Sequence, residues 1–407
     1  MLKVLHVNYS DINGGAAIGV KRLHKSLLKK GIKSSLLVAE KSSREESIFG
    51  PTSTFEIIKF LLLKSLSRVI KRLFIKTTNP ETFSFNFIKT NILKKINNFD
   101  CDIVNLHWIG NEMISIDQIN KINKPIVWTF WDMWPFCGAE HYTNNKRFQN
   151  GYNKNNKDCV GLDISKLIWN KKKKLSKNIE IICPSQWMYD CVKNGQLYKE
   201  NSIHKIPYNL DTKFWSSSEK EFSKKFLGIP DNKKIVLFGS STSANNRKGF
   251  DIIINLLNNF KNKDDIFLIL FGLKPNNLEK LQIDYKYLGE IKDEYTLKIL
   301  YSASDLLLMP SLLEAFGQIS SEAASCSVPS LIFEKTGMND FIEHKLNGYV
   351  AIHKNEKDLL NGLNWCLKDE NLSKISQNAR NKIIGYCDDE TVSEKYINIY
   401  KKKLSSN

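Results

Sequence analysis

The feature that most constrains the fold is a series of short apolar strands and amphipathic helices that occurs twice along the chain. The first series begins with the strand KVLHVN, continues with a helix that Gly31 ends, and returns to a strand at SSLLVA. After the connector IPYNLDTKFW (206–215) it begins again with KIVLFGSS and the helix KGFDIIINLLNNF. Because strand–helix–strand order places helices on the faces of a parallel sheet, the sequence predicts two doubly wound α/β domains.

The connector sets the predicted domain boundaries. We place an N-terminal Rossmann-like domain at residues 1–205 and a C-terminal Rossmann-like domain at 206–385. A C-terminal helix at 386–407 is predicted to pack back on the N-terminal domain. Doubly wound sheets bind ligands beyond the C-terminal ends of their strands. Two such sheets facing each other would enclose an interdomain cleft, where we expect the ligand to bind.

The charge of the chain points to an anionic partner. The net charge is +17, from 60 Lys and Arg against 43 Asp and Glu. A phosphorylated ligand, an anionic membrane surface or nucleic acid would each suit it. Nucleic acid is disfavoured, because the sequence has no recognisable reading helix or aromatic-basic module. Abundant Lys, Asn and Ile with scarce Arg also show that part of the excess is compositional.

Cysteine usage and hydropathy bear on location. The eight cysteines are scattered with no CxxC pair, which favours reduced thiols in a cytosolic protein. The N-terminus lacks the long apolar region of a signal peptide. No apolar run approaches the roughly 18 residues of a membrane span. We therefore expect a cytoplasmic protein, at most peripheral on the inner face of the cell membrane.

The stretch EAFGQISSE (314–322) is the leading candidate for a binding site. Glu314 follows the buried strand DLLLMPS, and Phe316 and Gly317 lead into a helix. The N–H groups and dipole of a helix N-terminus suit a phosphate. Glu322 lies four residues after Gln318, on the same helix face, and its carboxylate can accept two hydroxyl hydrogen bonds from a ribose. Two carboxylates at this spacing also arise by chance, so only the rest of the chain can show whether this stretch is a binding site.

The rest of the chain is similar to the retaining GT-B glycosyltransferases of family 4. EAFGQISSEA matches the family's donor-site signature E-x-F-G-x4-E-A, and SVPSLIFEKTG and HKLNGYVA match the elements that follow it. KGFD (248–251) matches the diphosphate-binding lysine, and Gly14 and Gly15 match a glycine pair at the donor site. The resemblance implies a GT-B fold of two facing Rossmann-like domains. It also implies sugar transfer from a nucleotide-sugar to a glycan hydroxyl, with retention at the anomeric carbon.

The resemblance assigns roles to individual residues. Lys248 and the helix N-terminus at Phe316–Gly317 would stabilise the leaving diphosphate. Glu314 would hold the donor sugar and Glu322 the ribose. No metal and no other cofactor is expected, since the nucleotide-sugar is a substrate.

The segment WTFWDMWPFCGAEHYT resembles a bacterial surface-polysaccharide branch of the family, where it reads HDMWPF-x-G-x-x-HY. The branch implies an acceptor glycan linked to polyprenyl diphosphate. Trp131 replaces a His that lies beside the donor sugar in relatives. An indole cannot act as acid or base, but its apolar face suits a pyranose, so we predict that Trp131 packs against a sugar and, with Asp132, belongs to the catalytic centre. The alternative is a catalytically weak or inactive nucleotide-sugar- or glycan-binding homologue.

A second departure from the family and two histidines complete the candidates. Ser240 stands where many relatives have an Arg that touches the diphosphate, and Arg247 is predicted to supply that charge; the alternative is a solvated loop residue. His107, at the end of CDIVNLH, and His141 are predicted to face the cleft near the acceptor. For His107 a purely structural role is the alternative. Cys137 and Cys159 match no common zinc pattern with His141, so no metal site is predicted.

Residues 56–76 form a basic amphipathic pattern that can lie on a membrane surface. The apolar stripe comprises Ile57, Leu61, Leu62, Leu66, Val69, Leu73 and Phe74. The other side comprises Lys59, Lys64, Arg68, Lys71, Arg72 and Lys76. The alternative is an ordinary surface helix of the N-terminal domain. The run Lys171–Lys174 is predicted to be a solvated helix face.

Overall fold

The computed structural model describes residues 1–74, 76–77, 79–240 and 246–406. The chain divides into two compact units, Met1–Asn209 with Asp389–Asn407, and Leu210–Asp388. Each unit is built on a parallel sheet that carries helices between its strands. The prediction of two Rossmann-like α/β domains is therefore confirmed.

The first unit contains a sheet in the order β3-β2-β1-β5-β6-β8-β9, with parallel pairing throughout the described strands. Its strands are β1 (Lys3–Ser10), β2 (Lys33–Glu40), β3 (Ile48–Phe49), β5 (Ile103–Leu106), β6 (Ile126–Thr129), β8 (Ile179–Cys183) and β9 (Ile203–Lys205), with β4 (Lys76–Thr77) and β7 (Cys159–Val160) forming a separate antiparallel pair. Its helices are α1 (Gly15–Lys29), α2 (Thr54–Phe74), α3 (Ile92–Asn98), α4 (Ile116–Ile119), α5 (Arg147–Asn150), α6 (Ile164–Lys172) and α7 (Gln186–Lys193).

The second unit contains a parallel sheet in the order β12-β11-β10-β13-β14-β15. Its strands are β10 (Lys234–Ser240), β11 (Ile266–Gly272), β12 (Tyr285–Tyr287), β13 (Leu306–Met309), β14 (Ser330–Phe333) and β15 (Gly348–Ala351). Its helices are α8 (Lys220–Leu227), α9 (Phe250–Asn258), α10 (Glu294–Ala303), α11 (Gln318–Ser325), α12 (Glu356–Cys366) and α13 (Asp369–Cys387). Single turns of 3-10 helix lie at Asn246–Lys248, Lys263–Asp265, Leu278–Lys280 and Gly337–Asp340.

The last helix, α14 (Asp389–Ser405), belongs to the first unit. Its buried side chains Val392, Tyr396 and Tyr400 share one apolar cluster with Leu23 and Leu27 of α1. The hydroxyl of Ser26, also on α1, donates to the Asp389 carbonyl at 2.9 Å. The chain thus returns from the second unit to complete the core of the first.

Both sheets have a switch point, where successive strands begin to be added on the opposite side. It falls between β1 and β5 in the first unit and between β10 and β13 in the second. Such a point leaves a crevice at the carboxyl ends of the two strands, where open α/β sheets bind ligands. Gly14 and Gly15 follow β1 at the start of α1, and His107 follows β5. Ser240 ends β10, and Glu314 lies just beyond β13.

Candidate functional site

The loops that follow β10 and β13 are joined at the switch point of the second unit. The Leu312 amide donates to the Arg247 carbonyl at 2.7 Å, and Arg247 Nη1 donates to the Leu313 carbonyl at 2.8 Å. Gly249 has a φ of +77°, and a Cβ there would lie 2.4 Å from the Pro310 carbonyl oxygen. Only glycine fits so close an approach with this backbone conformation. The two loops are therefore fixed relative to each other.

A buried ion pair lies between these loops. Lys248 Nζ donates to Glu314 Oε2, and the two side chains are 13% and 11% exposed. Arg247 Nη1 lies 3.9 Å from the same oxygen. Burial opposes ionisation of Glu314, but Lys248, Arg247 and the Phe316 amide outweigh it and hold the pKa of the carboxyl below its usual value. Lys248, predicted to contact the diphosphate, and Glu314, predicted to contact the donor sugar, thus contact each other directly.

The N-terminus of α11 lies next to this pair. Gly317 precedes the helix with a φ of +90°, and a Cβ there would lie 2.5 Å from Cγ of Met338. Phe316 is buried, whereas Gln318, the first residue of the helix, is half-buried. The amide of Gly337 donates to the Glu314 carbonyl at 2.8 Å. The first amides of α11 therefore stand at the edge of the sheet, where a helix N-terminus attracts an anion.

Glu322 lies one turn further along α11. It is buried, and its Oε2 accepts a hydrogen bond from the hydroxyl of Tyr301 at 2.8 Å. Tyr301 is a fully buried side chain of α10. This partner was not predicted from the sequence, because a tyrosine near the end of a helix is ordinary core composition. Tyr301 fixes the orientation of the carboxylate that is predicted to bind a ribose.

Ser240 occupies a crowded position at the end of β10. Its carbonyl accepts from the Leu273 amide at 2.8 Å. A Cβ on Gly272 would lie only 2.0 Å from that carbonyl oxygen, and Gly272 has a φ of +93°. The serine is buried, so the backbone around it is held tightly. Whether its side chain contacts a diphosphate stays a prediction.

In the first unit, Asp132 is the centre of a hydrogen-bonded cluster. Its Oδ1 accepts from the Trp134 amide at 2.9 Å. Its Oδ2 accepts from Trp108 Nε1 at 2.7 Å and pairs with His141 Nδ1 at 2.6 Å. His141 Nε2 lies 2.8 Å from the hydroxyl of Ser84. Asp132 and His141 were predicted for different roles, but they belong to one buried hydrogen-bonded cluster.

His107 and Trp131 form a second buried chain. Trp131 Nε1 can only donate, and it donates to His107 Nδ1 at 3.1 Å. His107 must therefore carry its proton on Nε2, which lies 2.9 Å from His6 Nδ1. Burial lowers the pKa of His107 to about 3, so the ring is neutral. The imidazole of His107 is neutral, buried and hydrogen-bonded at both nitrogens, which favours the structural alternative for this residue.

Trp131 itself is largely enclosed. Its ring stacks on Tyr208, with the ring centres 3.9 Å apart and the planes 17° from parallel. The hydroxyl of Tyr208 donates to the Phe130 carbonyl at 2.9 Å. One face of the indole is thus covered by protein, and a sugar would have to use the remaining 9% of its surface. Its contact with a sugar stays a prediction.

The prediction for the run Lys171–Lys174 is wrong for one residue. Lys172 is 1% exposed, and its ammonium donates to the carbonyls of Trp134, Cys137 and Gly138. It also lies 3.7 Å from the centre of the Trp134 ring. The turn that follows Asp132 points three carbonyls inward, and a long side chain with three N–H donors satisfies them. Periodicity could not show this, because the partners come from a distant turn.

Helix α2 carries the basic pattern predicted for residues 56–76. Phe60, Leu63 and Ser67 are its buried side chains, at helical spacing. The exposed apolar stripe comprises Phe55, Ile57, Ile58, Leu61, Leu62, Leu66, Val69 and Leu73, each 38–75% exposed. The side chains of Phe74 and Lys76, which the sequence placed on its two faces, lie outside those described. The predicted stripe therefore faces away from the core of its unit.

Within residues 1–74, 76–77, 79–240 and 246–406, no helix is both long and apolar enough to cross a membrane. Among the same residues, no group of three or more His, Cys, Asp or Glu side chains is arranged to hold a metal ion.

Residues 219–382 match the family model described as "Glycosyl transferases group 1". This segment contains the loops of Lys248 and Glu314 and the whole of α11. The matched segment lies within the second unit and makes up most of it. The buried Lys248–Glu314 pair thus lies at the switch point of the unit that matches this family model.

The chain is also similar to glycosyltransferases among curated relatives and to solved structures of the same fold. An uncharacterized glycosyltransferase of Methanocaldococcus jannaschii is 25% identical over 204 residues, which cover 48% of this chain and 51% of that protein. The chain matches only about half the length of its curated relatives. The sucrose-phosphate synthase of Thermosynechococcus elongatus superposes with a TM-score of 0.71 at 14% identity over 100% of both chains. HepE of Anabaena, solved with UDP and glucose, gives 0.66 at 16% identity over 99% and 100%. The predicted GT-B fold, with two Rossmann-like domains, is therefore confirmed.

Proposed function

We propose that the protein is a retaining glycosyltransferase of family 4 that moves a sugar from a nucleotide-sugar to a hydroxyl of a glycan. One observation carries the proposal. The Lys248–Glu314 pair, with Arg247 beside it, lies next to the N-terminus of α11 at the switch point of the unit that matches the glycosyl transferases group 1 model. The cations of Lys248 and Arg247, together with a helix N-terminus, suit a diphosphate. The carboxylates beside them suit hydroxyl-rich groups.

The diphosphate and the ribose of the donor would be held by the second unit. As the bond to the sugar breaks, negative charge grows on the diphosphate, and Lys248 with the first amides of α11 stabilises it. Glu314 accepts hydrogen bonds from the sugar hydroxyls, and Glu322, oriented by Tyr301, accepts them from the ribose. The departing phosphate oxygen takes the acceptor's proton on the same face of the sugar. This route gives retention and needs no metal or other cofactor. HepE, whose solved structure holds UDP and glucose, has the same fold.

The acceptor would be a glycan of surface polysaccharide synthesis, linked to polyprenyl diphosphate. The support is the DMWPF-x-G-x-x-HY motif, whose side chains build the Asp132–His141 cluster. The competing proposal is a homologue that binds nucleotide-sugars or glycans with little or no catalysis. It is favoured by Trp131, which replaces an ionisable His with an indole and is packed against Tyr208.

We also propose that the protein works in the cytoplasm at the inner face of the membrane. The exposed apolar stripe of α2 is flanked by the exposed side chains of Arg68 and Arg72. An interfacial helix has apolar side chains that enter the membrane–water interface. Beside them it has cations that contact anionic lipid headgroups. A lipid-linked acceptor would give such a contact its purpose.

The direct test is a transfer assay. The protein is incubated with UDP-, GDP- and dTDP-sugars and a synthetic polyprenyl-diphosphate monosaccharide, and product is followed by mass spectrometry and the anomeric configuration by NMR. We expect one donor to give a product with the donor's own anomeric configuration. An inverted product would overturn the retaining mechanism. Tight donor binding with neither transfer nor hydrolysis would establish the non-catalytic homologue instead.

A further inference from the structure

A pocket of about 540 Å³ opens in the first unit beside the basic flank of α2. Its walls come from three places: Arg68, Lys71 and Arg72 of α2, the loop 80–83, and Trp108 with Asn111 after β5. This volume lies within the range of pockets that hold small molecules. Arg68 and Arg72 also flank the exposed apolar stripe of α2, but no ligand has so far been assigned to the cavity itself.

The pocket is strongly cationic. Three basic side chains line it against one acidic residue, Glu81. Lys71 is fixed in place by hydrogen bonds to the carbonyls of Pro80 and Glu81, and burial lowers its pKa. Arg68 and Arg72 are exposed, and no ion pair joins either of them to a described residue. Guanidinium groups bind phosphates through paired hydrogen bonds, so the two arginines suit a phosphorylated ligand.

Trp108 provides a fixed aromatic wall. It is half-buried, and its Nε1 donates to Asp132 Oδ2 at 2.7 Å. Its ring stacks on His141, with the ring centres 5.0 Å apart and the planes 28° from parallel. The buried Asp132–His141 cluster therefore orients a tryptophan that lines the pocket. An indole held rigidly in this way loses little entropy when a sugar ring packs on it.

The remaining wall is built on a strained backbone. Asn111 and Glu112 are consecutive non-glycine residues with φ of +52° and +60°. The buried carboxylate of Glu112 holds the turn by accepting hydrogen bonds from the amides of Phe85, Asn86 and Phe87 at 3.0, 2.6 and 2.8 Å. The Asn111 amide donates to the Ser84 hydroxyl at 2.9 Å. Strain of this kind persists only where the surroundings enforce it, and it concentrates at ligand sites.

We propose that this pocket binds a sugar phosphate, with the sugar ring on Trp108 and the phosphate on Arg68 and Arg72. The inference rests on the proposed function, in which it is the site for the phosphorylated end of the acceptor. The charge selects an anion, and the aromatic wall selects a saccharide over an isolated phosphate. The position beside the exposed apolar stripe of α2 suits a saccharide phosphate that is itself attached to a lipid.

The test is binding of soluble probes, measured by calorimetry. The wild-type protein is titrated with glucose 1-phosphate, galactose 1-phosphate and N-acetylglucosamine 1-phosphate. Inorganic phosphate and methyl α-glucoside are the control ligands, since the first carries only the phosphate and the second only the sugar. We expect at least one sugar phosphate to bind at least tenfold more tightly than either control ligand. The variant Arg68→Gln/Arg72→Gln should weaken that binding at least tenfold. Because both arginines are exposed, its thermal unfolding midpoint should match the wild type.

Two controls separate this pocket from other anion sites. Lys59→Gln/Lys94→Gln removes the same charge from α2 and α3 at positions outside the pocket lining and should change sugar-phosphate affinity less than twofold. Lys248→Ala, whose folding is checked by circular dichroism, removes a cation from the donor site and should also change it less than twofold. Loss of binding in Lys248→Ala with retention in the arginine variant would place the ligand at the donor site and overturn the proposal.

Other results would also overturn it. These are no binding of any sugar phosphate, equal affinity for inorganic phosphate, or binding only to vesicles of phosphatidylcholine and phosphatidylglycerol, which would assign the arginines to lipid headgroups. Failure of the proposed function looks different. In that case no nucleotide-sugar binds the second unit, while sugar phosphates still bind the wild type and not the arginine variant.

Discussion

The indole of Trp131 lies flat on the phenol ring of Tyr208, 3.9 Å between ring centres, while its Nε1 donates to His107 Nδ1 at 3.1 Å. The residue that departs from its own motif is thus tied to the core of the first unit. A histidine is smaller and could not fill the same space against Tyr208. The replacement has therefore been absorbed into the packing, whatever it does to a ligand.

Trp131→Phe should be less destabilising than Trp131→Ala. The phenyl ring still packs on Tyr208 but leaves His107 Nδ1 without its donor, which costs about 1–3 kcal/mol. The alanine also leaves a cavity, at about 3–5 kcal/mol. Urea unfolding of both variants measures this. Two variants within 0.5 kcal/mol of wild type would show that the indole is not a packing residue.

The Lys248–Glu314 pair should behave as a coupled unit. Lys248→Ala leaves a buried carboxylate with Arg247 only at 3.9 Å, and we expect a loss of about 3 kcal/mol. Adding Glu314→Gln should recover most of it, because the uncompensated charge is then gone. Denaturant titration of the two single variants and the double variant gives the coupling energy. A double variant no more stable than Lys248→Ala would contradict the pair.

The same pair predicts a pH dependence. The folded-state pKa of Glu314 lies below its ordinary value of 4.5. Its contribution to stability is therefore complete above that pH and is lost as the pH falls through the lower, folded value. Glu314→Gln should flatten the acid limb of the stability curve.

Lys172 and Lys174 should differ sharply although both belong to one basic run. Lys172→Met leaves three inward carbonyls without a donor, and each such buried group costs about 1–3 kcal/mol. Lys174→Met changes an exposed residue and should stay within about 0.5 kcal/mol of wild type. Thermal unfolding of the matched pair decides. Equal effects would mean that the ammonium of Lys172 does not hold the turn.

The exposed apolar stripe should govern membrane binding. Leu62→Ser/Leu73→Ser removes two side chains that are 65% and 63% exposed, so folding should be unaffected. Each leucine buried in the interface contributes roughly 1.5–3 kcal/mol, so partition onto phosphatidylglycerol vesicles should fall at least tenfold. Phe222→Ser/Phe226→Ser, exposed on α8 of the second unit, is the matched control. The membrane proposal would be wrong if the wild-type protein did not bind these vesicles at low salt. It would also be wrong if the leucine variant and the phenylalanine variant bound them equally well.

The sequence was sufficient to predict the fold because its hydrophobic periodicity and the positions of its glycines indicate the same strands, helices and loops. Apolar strands such as β10 and β13 are continuous runs, and Gly249 and Gly317 mark the loops where backbone must approach closely. These features are local, so they can be read along the chain. Glu314 was identified for the same reason, since it follows the end of a buried strand, whereas Lys248, Ser240 and Arg247 were assigned from the resemblance to family 4.

Other features depend on partners distant in the chain and could not be predicted. Tyr301 orients Glu322 from another helix, and Lys172 binds a turn more than thirty residues away. The orientation of α2 is a third case. Its pattern has apolar residues on two sides, and only the packing of Phe60 and Leu63 shows which side is buried. Long-range contacts decide all three.

In the proposed function, the second unit binds a nucleotide diphosphate-sugar through Lys248 and the N-terminus of α11, with Glu322 on the ribose. The most direct measurement is calorimetric titration of UDP-, GDP- and dTDP-sugars, and of the matching nucleosides, into wild type, Glu322→Ala and the stability-matched Lys248→Ala/Glu314→Gln. We predict that one nucleotide-sugar binds wild type and that Glu322→Ala weakens it by about 1.5–3 kcal/mol, the scale of hydrogen bonds to a charged group. The Lys248 variant should lose affinity for the nucleotide-sugar but not for the nucleoside, which carries no phosphate. No binding of any nucleotide-sugar, or equal binding to all three proteins, would contradict the account.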